Sequence, residues 1–292
     1  MAQFLISAFA DEASDSLDGQ INALKRNGVR YIEPRNADGS IVGKNDAELF
    51  EIANALKENG IGVSSLGSPI GKFDIDKPFE EHLADFRRAI RACEILGTKN
   101  MRMFSFFVGQ NRLAECRDEV LRRMTVLLEE ADRAGITLCH ENESNIYGQN
   151  PREVADLLTS LPSLRGIFDA ANYVMNDQDP IKGLEATLPS LEYLHIKDAC
   201  FAEKCIVPCG MGDGQYMEIL RRVDAATDRT IFLTVEPHLH IFQAYARIDS
   251  HKLNTGLHFE NSDDAFDCAV TNLKQTLTEL GYHEEENKVW KK

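Results

Sequence analysis

Apolar residues recur along this chain with two alternating periods. Stretches with apolar residues three or four positions apart are typical of amphipathic helices, and short, mainly apolar runs rich in β-branched residues are typical of strands. Four of the predicted helices end at a glycine, which readily adopts the left-handed conformation that follows a last helical turn. These glycines are Gly28, Gly60, Gly97 and Gly135, and a predicted strand follows each of them directly. The pattern therefore predicts a repeated unit of helix, turn and strand.

The repeat predicts eight strands at intervals of roughly 30 residues, the size of a strand and its crossover helix. The predicted strands are Gln3–Phe9, Val29–Arg35, Ile61–Leu66, Met101–Phe107, a run from Ile136, Leu164–Phe168, Leu191–Ile196 and Ile231–Val235. Parallel strands need crossovers of this length. Eight such units favour an α/β fold, a (β/α)8 TIM barrel, over a doubly wound sheet. No Gly-x-Gly-x-x-Gly follows the first strand, so the fingerprint of a dinucleotide-binding fold is missing.

We interpret residues 1–292 as a single domain, with residues 283–292 as a loose charged tail. Residues 238–260 are a long connection, and such connections often carry function or cover a site. The length suits one barrel, and a hydrophobic content of 43% suits a large core.

The acidic balance of the chain excludes some classes of function. A net charge of −15 argues against nucleic acid as a partner, because binding phosphates needs a basic footprint. No apolar run approaches the roughly 20 residues that span a bilayer, and no basic segment precedes the apolar residues 4–10. We therefore expect no membrane partner and a cytoplasmic location.

The chain has seven cysteines, an odd number without framework spacing, which predicts free thiols in a reducing compartment. Cys200, Cys205 and Cys209 lie close together in sequence, but they lack C-x-x-C spacing and no fourth ligand follows. We interpret them as ordinary thiols rather than as a zinc site.

Metal-ligand residue types stand at the ends of the last four predicted strands. Glu141, Asp169, His195 and Glu236 each lie at the end of an apolar run, or directly after it. The carboxyl ends of barrel strands meet at one face, where the active sites of such barrels lie. Three carboxylates and one imidazole suit a divalent cation: the oxygen ligands favour Mg²⁺ or Mn²⁺, and the imidazole admits Zn²⁺ or Co²⁺. We predict one such ion, bound by these four residues.

The motifs that contain these residues resemble a known superfamily. Glu141-Asn142, Asp169-x-x-Asn172, His195-x-Lys197-Asp198 and Val235-Glu236-Pro237 are similar to those of xylose isomerase-like TIM barrels. Within that superfamily they resemble the sugar phosphate isomerase/epimerase proteins, which include ketose 3-epimerases. The resemblance covers nearly the whole chain.

The resemblance implies an isomerase or epimerase for a sugar or sugar phosphate that works through a metal-stabilised enediolate. Glu141 and Glu236 would be both metal ligands and the catalytic acid/base pair. Such proton transfers typically contribute 10²–10⁴-fold each. The implied substrate is a small polyhydroxy carbonyl compound, and a homodimer is expected from the family.

The sequence also departs from relatives of this kind. Tyr147 stands where ketose 3-epimerases carry a further glutamate, and no arginine follows His195 closely. Endonuclease IV has the same barrel with three zinc ions, but Asn172 replaces one of its histidines and Gln215 another. Together with the acidic charge, this argues against DNA repair.

Eight further residues are predicted to contact substrate, because they end strands, lie within them, follow them or belong to the family motifs. They are Glu33, Arg35, Ser68, Lys72, Arg102, Asn172, Lys197 and Asp213. A salt bridge from Glu33 to Arg35 or Arg102 is the alternative interpretation of those three. Two other functions stay open: a metal-dependent dehydratase or other lyase on an inosose-like or keto-sugar substrate, and a non-catalytic sugar-binding barrel.

Overall fold

The computed structural model describes residues 1–240 and 254–292 of the chain. In chain order its strands are β1 Gln3–Ala8, β2 Tyr31–Ile32, β3 Gly62–Val63, β4 Asn100–Met103, β5 Thr137–Glu141, β6 Arg165–Asp169, β7 Leu191–Ile196, β8 Asp198–Cys200, β9 Cys205–Val207, β10 Thr230–Val235, β11 His283–Glu284 and β12 Val289–Lys291. The helices are α1 Leu17–Arg26, α2 Asp46–Glu58, α3 Phe79–Leu96, α4 Leu113–Ala134, α5 Pro151–Ser160, α6 Ala170–Met175, α7 Pro180–Thr187, α8 Tyr216–Ala226 and α9 Ser262–Glu279.

Eight of these strands form the parallel sheet of a TIM barrel, as predicted. Their order is β4-β5-β6-β7-β10-β1-β2-β3. Leu66, just beyond β3, connects the two ends of this order, because its N–H donates to the Asn100 carbonyl and its carbonyl accepts from the Arg102 N–H, both at 2.9 Å. The carboxyl ends of all eight strands therefore lie along one rim.

The helices form where the sequence supplies both caps and an apolar face. Asn45 and Glu48 make a capping box at the start of α2, and Leu49, Ile52 and Leu56 are its buried face. The helices α3 and α4 end at glycines with positive φ, as predicted. The apolar faces pack against the sheet and form the main core.

Alternation along the strands separates a second, small cluster from the main core. Cys139, Ile167 and Tyr193 form it, with the partly buried Phe232 packed against them. Side chains two positions apart point to the same side of a strand. Glu141, Asp169, His195 and Thr234 follow these four at that spacing, so the same strands direct polar groups toward the rim.

The predicted loose tail is wrong for residues 283–291. The strands β11 and β12 form a hairpin, and β12 pairs antiparallel with β1, so that Phe4 lies opposite Trp290. The reason is an edge left open in the barrel: β2 pairs only with Ser7 and Ala8, near the end of β1. Trp290 is buried against that open edge.

Within the residues that the structure describes, no helix combines the length and the apolar character needed to cross a bilayer.

Candidate metal and active site

Four side chains from four neighbouring barrel strands converge at the rim. Glu141 ends β5, Asp169 ends β6, His195 lies in β7 and Glu236 directly follows β10. One ligand atom from each lies within 4.8 Å of the others, and all four side chains are buried. The register explains this, because His195 lies opposite both Asp169 and Thr234. The structure thus brings together the four residues predicted as metal ligands.

The imidazole of His195 lies between two carboxylates. Its Nδ1 is 2.9 Å from Glu141 Oε1, and its Nε2 is 3.3 Å from Glu33 Oε2. Tyr193 holds the other Glu33 oxygen, since its hydroxyl donates to Oε1 at 2.8 Å. Burial disfavours a charged ring, but the carboxylates of Glu141 and Glu33 outweigh it and raise the pKa of His195 to about 10. Glu33 is therefore the group that orients His195.

We expect Glu33→Gln to weaken divalent-cation binding by about 10–100-fold, the usual effect of losing the carboxylate behind a histidine ligand. The physical reason is that Glu33 accepts the Nε2 proton and so orients the ring, and Nδ1 can bind a cation once it has lost its own proton. Titration calorimetry with Mn²⁺ or Zn²⁺ measures the change. Glu192→Gln is the matched control. Glu192 lies on β7, as His195 does, but it pairs with Arg165 and Arg229. Equal affinity in wild type and Glu33→Gln would exclude this role.

Each of the two glutamates of the cluster is also held by an arginine. Arg102 Nη1 lies 3.2 Å from Glu141 Oε2, and Arg35 Nη1 lies 3.1 Å from Glu236 Oε1. Burial alone would raise the pKa of Glu141, but His195 and Arg102 lower it to about 2. The pKa of Glu236 is likewise lowered well below its usual value: Lys197 is the strongest of several nearby cations that oppose the effect of burial. Both carboxylates are therefore ionised at neutral pH.

Asp169 is positioned by its own helix and by Asn142. Its Oδ1 accepts the Asn172 N–H at 2.9 Å and caps α6. The Asn142 side chain bonds both the N–H and the carbonyl of Asp169, each at 2.9 Å. Burial raises the pKa of the Asp169 carboxyl to about 7. Among the described residues its buried Oδ2 accepts no hydrogen bond, although Lys197 Nζ lies 3.1 Å away.

This donor set fits a metal ion. Buried carboxylates are costly unless cations compensate their charge, and at Asp169 Oδ2 the Lys197 ammonium provides this compensation in the structure. Three carboxylates and an imidazole are suitable ligands for a divalent ion, so the buried cluster can bind one. Lys197 now bridges two of these ligands, since its Nζ also lies 3.0 Å from Glu236 Oε2.

An acidic pair that the sequence analysis missed completes this side of the rim. Asp11 and Glu12 lie in a short turn just beyond β1. The Asp11 carboxylate pairs with Arg35 through two hydrogen bonds of 2.9 and 3.0 Å. Glu12 accepts the His238 N–H at 2.6 Å, and burial raises its pKa to about 8. The signal was present, because these residues follow an apolar strand just as the other four do.

Lys72 and Asn172 also lie near the cluster. Lys72 Nζ pairs with Glu143 at 2.9 Å at the half-buried edge of the site. The Asn172 amide donates to the Asn142 carbonyl at 2.8 Å and lies 3.5 Å from Glu141 Oε1. Tyr147 is directed elsewhere, because its hydroxyl donates to Asp156 at 2.8 Å.

Three residues predicted to contact substrate have other environments. The Glu33 side chain is fully buried behind His195. Ser68 is fully buried as well, and its hydroxyl donates to the Arg102 carbonyl. Asp213 is exposed, and it accepts the Phe201 N–H at 2.7 Å instead of joining the cluster. The alternative prediction placed Glu33 in a salt bridge with Arg35 or Arg102. In the structure Arg35 pairs with Asp11, and Arg102 pairs with Glu141.

The glycine-rich loop that contains Asp213 surrounds a buried carboxylate. Asp198 accepts the backbone N–H groups of Gly210, Gly212 and Gly214 at 2.8–3.0 Å. A Cβ atom on Gly212 or Gly214 would lie 2.6 Å from Asp198 Oδ1, so only glycine fits at these two positions. The loop is therefore fixed to the strand that follows Lys197. Of the long connection expected to cover the site, residues 241–253 lie outside the described part.

The loop after β3 rests on a buried histidine, and this predicts a pH effect. The Gly71 N–H donates to His82 Nε2 at 2.8 Å, and burial lowers the pKa of His82 to about 4. The unfolded chain therefore binds this proton at higher pH than the folded chain. Stability is lost as the pH falls below the unfolded value of about 6.5, by roughly 2 kcal/mol from His82 alone between pH 7 and 5.

Chemical denaturation at both pH values tests this expectation. His82→Gln keeps an acceptor for the Gly71 N–H but cannot be protonated. Between pH 7 and 5 its free energy of unfolding should therefore fall by about 2 kcal/mol less than that of the wild type. The exposed His283→Gln is the control and should behave as wild type. Identical pH dependence in wild type and His82→Gln would contradict the expectation.

The fold and the site together define a class of protein. A ring of eight parallel strands carries a buried carboxylate–imidazole cluster at its carboxyl ends, which defines a TIM barrel whose rim can bind a metal ion. The chain belongs to the xylose isomerase-like TIM barrel family, whose model matches residues 21–259. No curated protein matches the sequence at a significant level.

Several solved structures share this fold at low sequence identity. The IOLI protein with a bound zinc atom has a TM-score of 0.74 and 14% identity, over 94% of this chain and 99% of that one. The probable 3-DHS dehydratase AsbF of Bacillus anthracis has a TM-score of 0.70 and 16% identity, over 92% and 98%. The 3-keto-D-glucoside 4-epimerase YcjR of E. coli has a TM-score of 0.65 and 14% identity, over 95% and 98%. At these identities the likeness concerns the fold alone.

Proposed function

We propose that this protein is a divalent-metal-dependent isomerase or epimerase that acts on a small polyhydroxy carbonyl compound, a sugar or sugar phosphate. One observation carries the proposal: four ligand-type atoms from Glu141, Asp169, His195 and Glu236 lie within 4.8 Å of one another at the active-site rim. Membership of a family whose structural neighbours include an epimerase and a dehydratase supports an enzyme of this kind.

The four clustered residues would hold one Mn²⁺, Mg²⁺, Co²⁺ or Zn²⁺ ion. When bound, such an ion polarises the substrate carbonyl and stabilises negative charge on its oxygen. The IOLI protein, which shares this fold, is described with a bound zinc atom, and this supports a metal ion in the present protein.

The two glutamates are placed to transfer the proton. Glu141 ends β5 and Glu236 directly follows β10, and the strands β6 and β7 lie between them. The two glutamates therefore approach a bound sugar from different directions. One carboxylate takes the carbon-bound proton. The other first gains a proton from solvent and then returns it, to the opposite face in an epimerase or to the neighbouring carbon in an isomerase. Arg102 and Arg35 hold the remaining carboxylate oxygens and so limit the rotation of both groups.

Exchange of substrate carbon-bound hydrogen with deuterated water tests the function. The wild type, loaded with each of the four metals, is incubated with a panel of ketoses, keto-glycosides, inososes and their phosphates, and the products are followed by NMR. We expect deuterium incorporation together with a new epimer or isomer. Glu141→Gln and Glu236→Gln should lower the rate by about 10²–10⁴-fold. Glu143→Gln is the control, because Glu143 pairs with Lys72 at the edge of the site.

Other outcomes would overturn the proposal. Loss of water with a new enone absorbance would identify a dehydratase, which begins with the same proton removal. Metal binding without exchange of any substrate in the panel would favour a sugar-binding barrel.

A further inference from the structure

Two cysteines face each other across the hairpin that follows β7. Cys200 ends β8 and Cys205 begins β9, and the antiparallel register pairs them directly. Directly opposed residues in such strands have Cα atoms roughly 4.5–5.5 Å apart. This separation lies within the range that a disulfide spans, so the register of the hairpin is compatible with a bond between the pair.

The remaining cysteines have no comparable arrangement. Cys93, Cys116 and Cys139 lie on α3, α4 and β5, and Cys268 lies on α9. Cys209, which the sequence places near the pair, lies with its sulfur 3.9 Å from the Thr276 hydroxyl. Among the described residues, the three neighbouring cysteines therefore do not form a three-ligand metal site.

The surroundings of the pair allow a reagent to reach one sulfur. Cys200 is half-buried and Cys205 is buried, and both are free thiols. Burial and the neighbouring Cys205 thiol raise the pKa of Cys200 to about 11. The thiolate is the reactive form, so the reaction rate should increase with pH.

We propose that Cys200 and Cys205 are a modification site, a dithiol that a peroxide converts reversibly into an intrachain disulfide. The Cys200 thiolate attacks one peroxide oxygen, the O–O bond breaks, and hydroxide leaves to give a sulfenic acid. The Cys205 thiolate then attacks that sulfur, the S–O bond breaks, and the S–S bond forms as the oxygen leaves as water. Overall, two thiols are oxidised and one hydrogen peroxide is reduced to two water molecules. A dithiol reductant reverses the change.

The β8–β9 hairpin contacts other elements near the rim, so a disulfide within the hairpin would also affect those contacts. Lys204, inside the turn, donates to the Val174 carbonyl at 2.9 Å, at the end of the helix that Asp169 caps. Ile206 donates to the Asn254 carbonyl at 2.8 Å. A covalent bond across residues 200 and 205 restricts the unfolded chain and fixes this junction, so the oxidised protein should melt at a higher temperature.

Peptide mapping of the folded, full-length protein after treatment with hydrogen peroxide tests the proposal. Trypsin cleaves after Lys197, Lys204 and Arg221, so the disulfide would join peptides 198–204 and 205–221, which are separate in the reduced protein. We expect the linked pair, a loss of two of the seven thiols, and a mass lower by two hydrogen atoms. The initial rate should rise roughly tenfold per pH unit between pH 7 and 9.

Two sets of variants distinguish the alternatives. Cys200→Ser and Cys205→Ser should each prevent the link, while Cys209→Ser and Cys268→Ser should leave it intact. A link that is lost in Cys209→Ser, or that forms only in urea, would overturn the proposal. So would oxidation of Cys200 that stops at the sulfenic or sulfinic acid.

Discussion

Wild-type protein is expected to retain about one divalent ion per chain, and Asp169→Asn and Glu236→Gln are each expected to lose it. Each substitution removes a negative ligand from a buried cluster in which Arg35, Arg102 and Lys197 already provide positive charge. The amide that replaces the carboxylate donates hydrogen bonds as well as accepting them, and it carries no charge. We expect affinity to fall by at least about 100-fold, which is larger than the effect of a residue behind the ligands.

Elemental analysis of metal-reconstituted, tag-free protein measures this, together with calorimetric titration of each variant. Glu143→Gln is the matched control, because it removes one negative charge near the site without removing a ligand of the cluster. Circular dichroism confirms that the variants remain folded. Wild type that takes up no Mn²⁺, Co²⁺ or Zn²⁺ would show that the cluster is not a metal site.

Lys197→Met is expected to have opposite effects on the metal-free and metal-loaded protein. Its ammonium lies 3.1 Å from Asp169 and 3.0 Å from Glu236, and it is buried. Removing one partner from a buried ionic network typically costs about 3–5 kcal/mol, because the remaining charges lose their compensation. The free energy of unfolding of the metal-free protein should fall by this amount.

A metal ion would restore the compensation that Lys197→Met removes. In the variant, the metal ion would also no longer compete with the Lys197 ammonium for the carboxylates. Two unit charges 4 Å apart interact by about 4 kcal/mol at an effective dielectric constant of 20, which gives the scale of this competition. The variant should therefore bind divalent ions at least about 10-fold more tightly. Urea denaturation with and without metal measures both effects, and Lys72→Met is the control, because Lys72 pairs with Glu143 outside the ligands. Weaker metal binding in Lys197→Met would contradict the competition.

Local periodicity was sufficient to predict the barrel. Helix caps, apolar faces and strand runs are local signals, and all eight parallel strands were located from them. The strands were predicted too long at 29–35 and 61–66, where the continuous strands are only Tyr31–Ile32 and Gly62–Val63 and Leu66 adds a single bridge to β4. Hydrophobic runs report burial, whereas strand length depends on the register between neighbours, which no single segment encodes.

The four predicted metal ligands lie together in the structure. Side-chain alternation along the strands and the common rim at their carboxyl ends leave few other positions for these side chains. The side-chain partners around them were less predictable. Glu33 directly follows β2 and Arg102 lies within β4, yet Glu33 lies behind His195 and Arg102 holds Glu141. That difference follows from the stagger between strands, which the sequence does not display. The β8–β9 hairpin was missed because each of its strands has only three residues, and no strand was predicted between Ile196 and Ile231.

The pairing of β12 with β1 has a consequence for synthesis. The first strand is completed only by β10 and β12, whose residues lie more than 220 positions later in the chain. While a ribosome is still producing residues 230–291, Phe4 and Leu5 lack these partners and remain available to other chains or to chaperones. The parallel barrel therefore closes only after β10 has been translated, and the edge of β1 at Phe4 and Leu5 stays uncovered until β12 follows. Deleting residues 289–291 would leave that edge exposed.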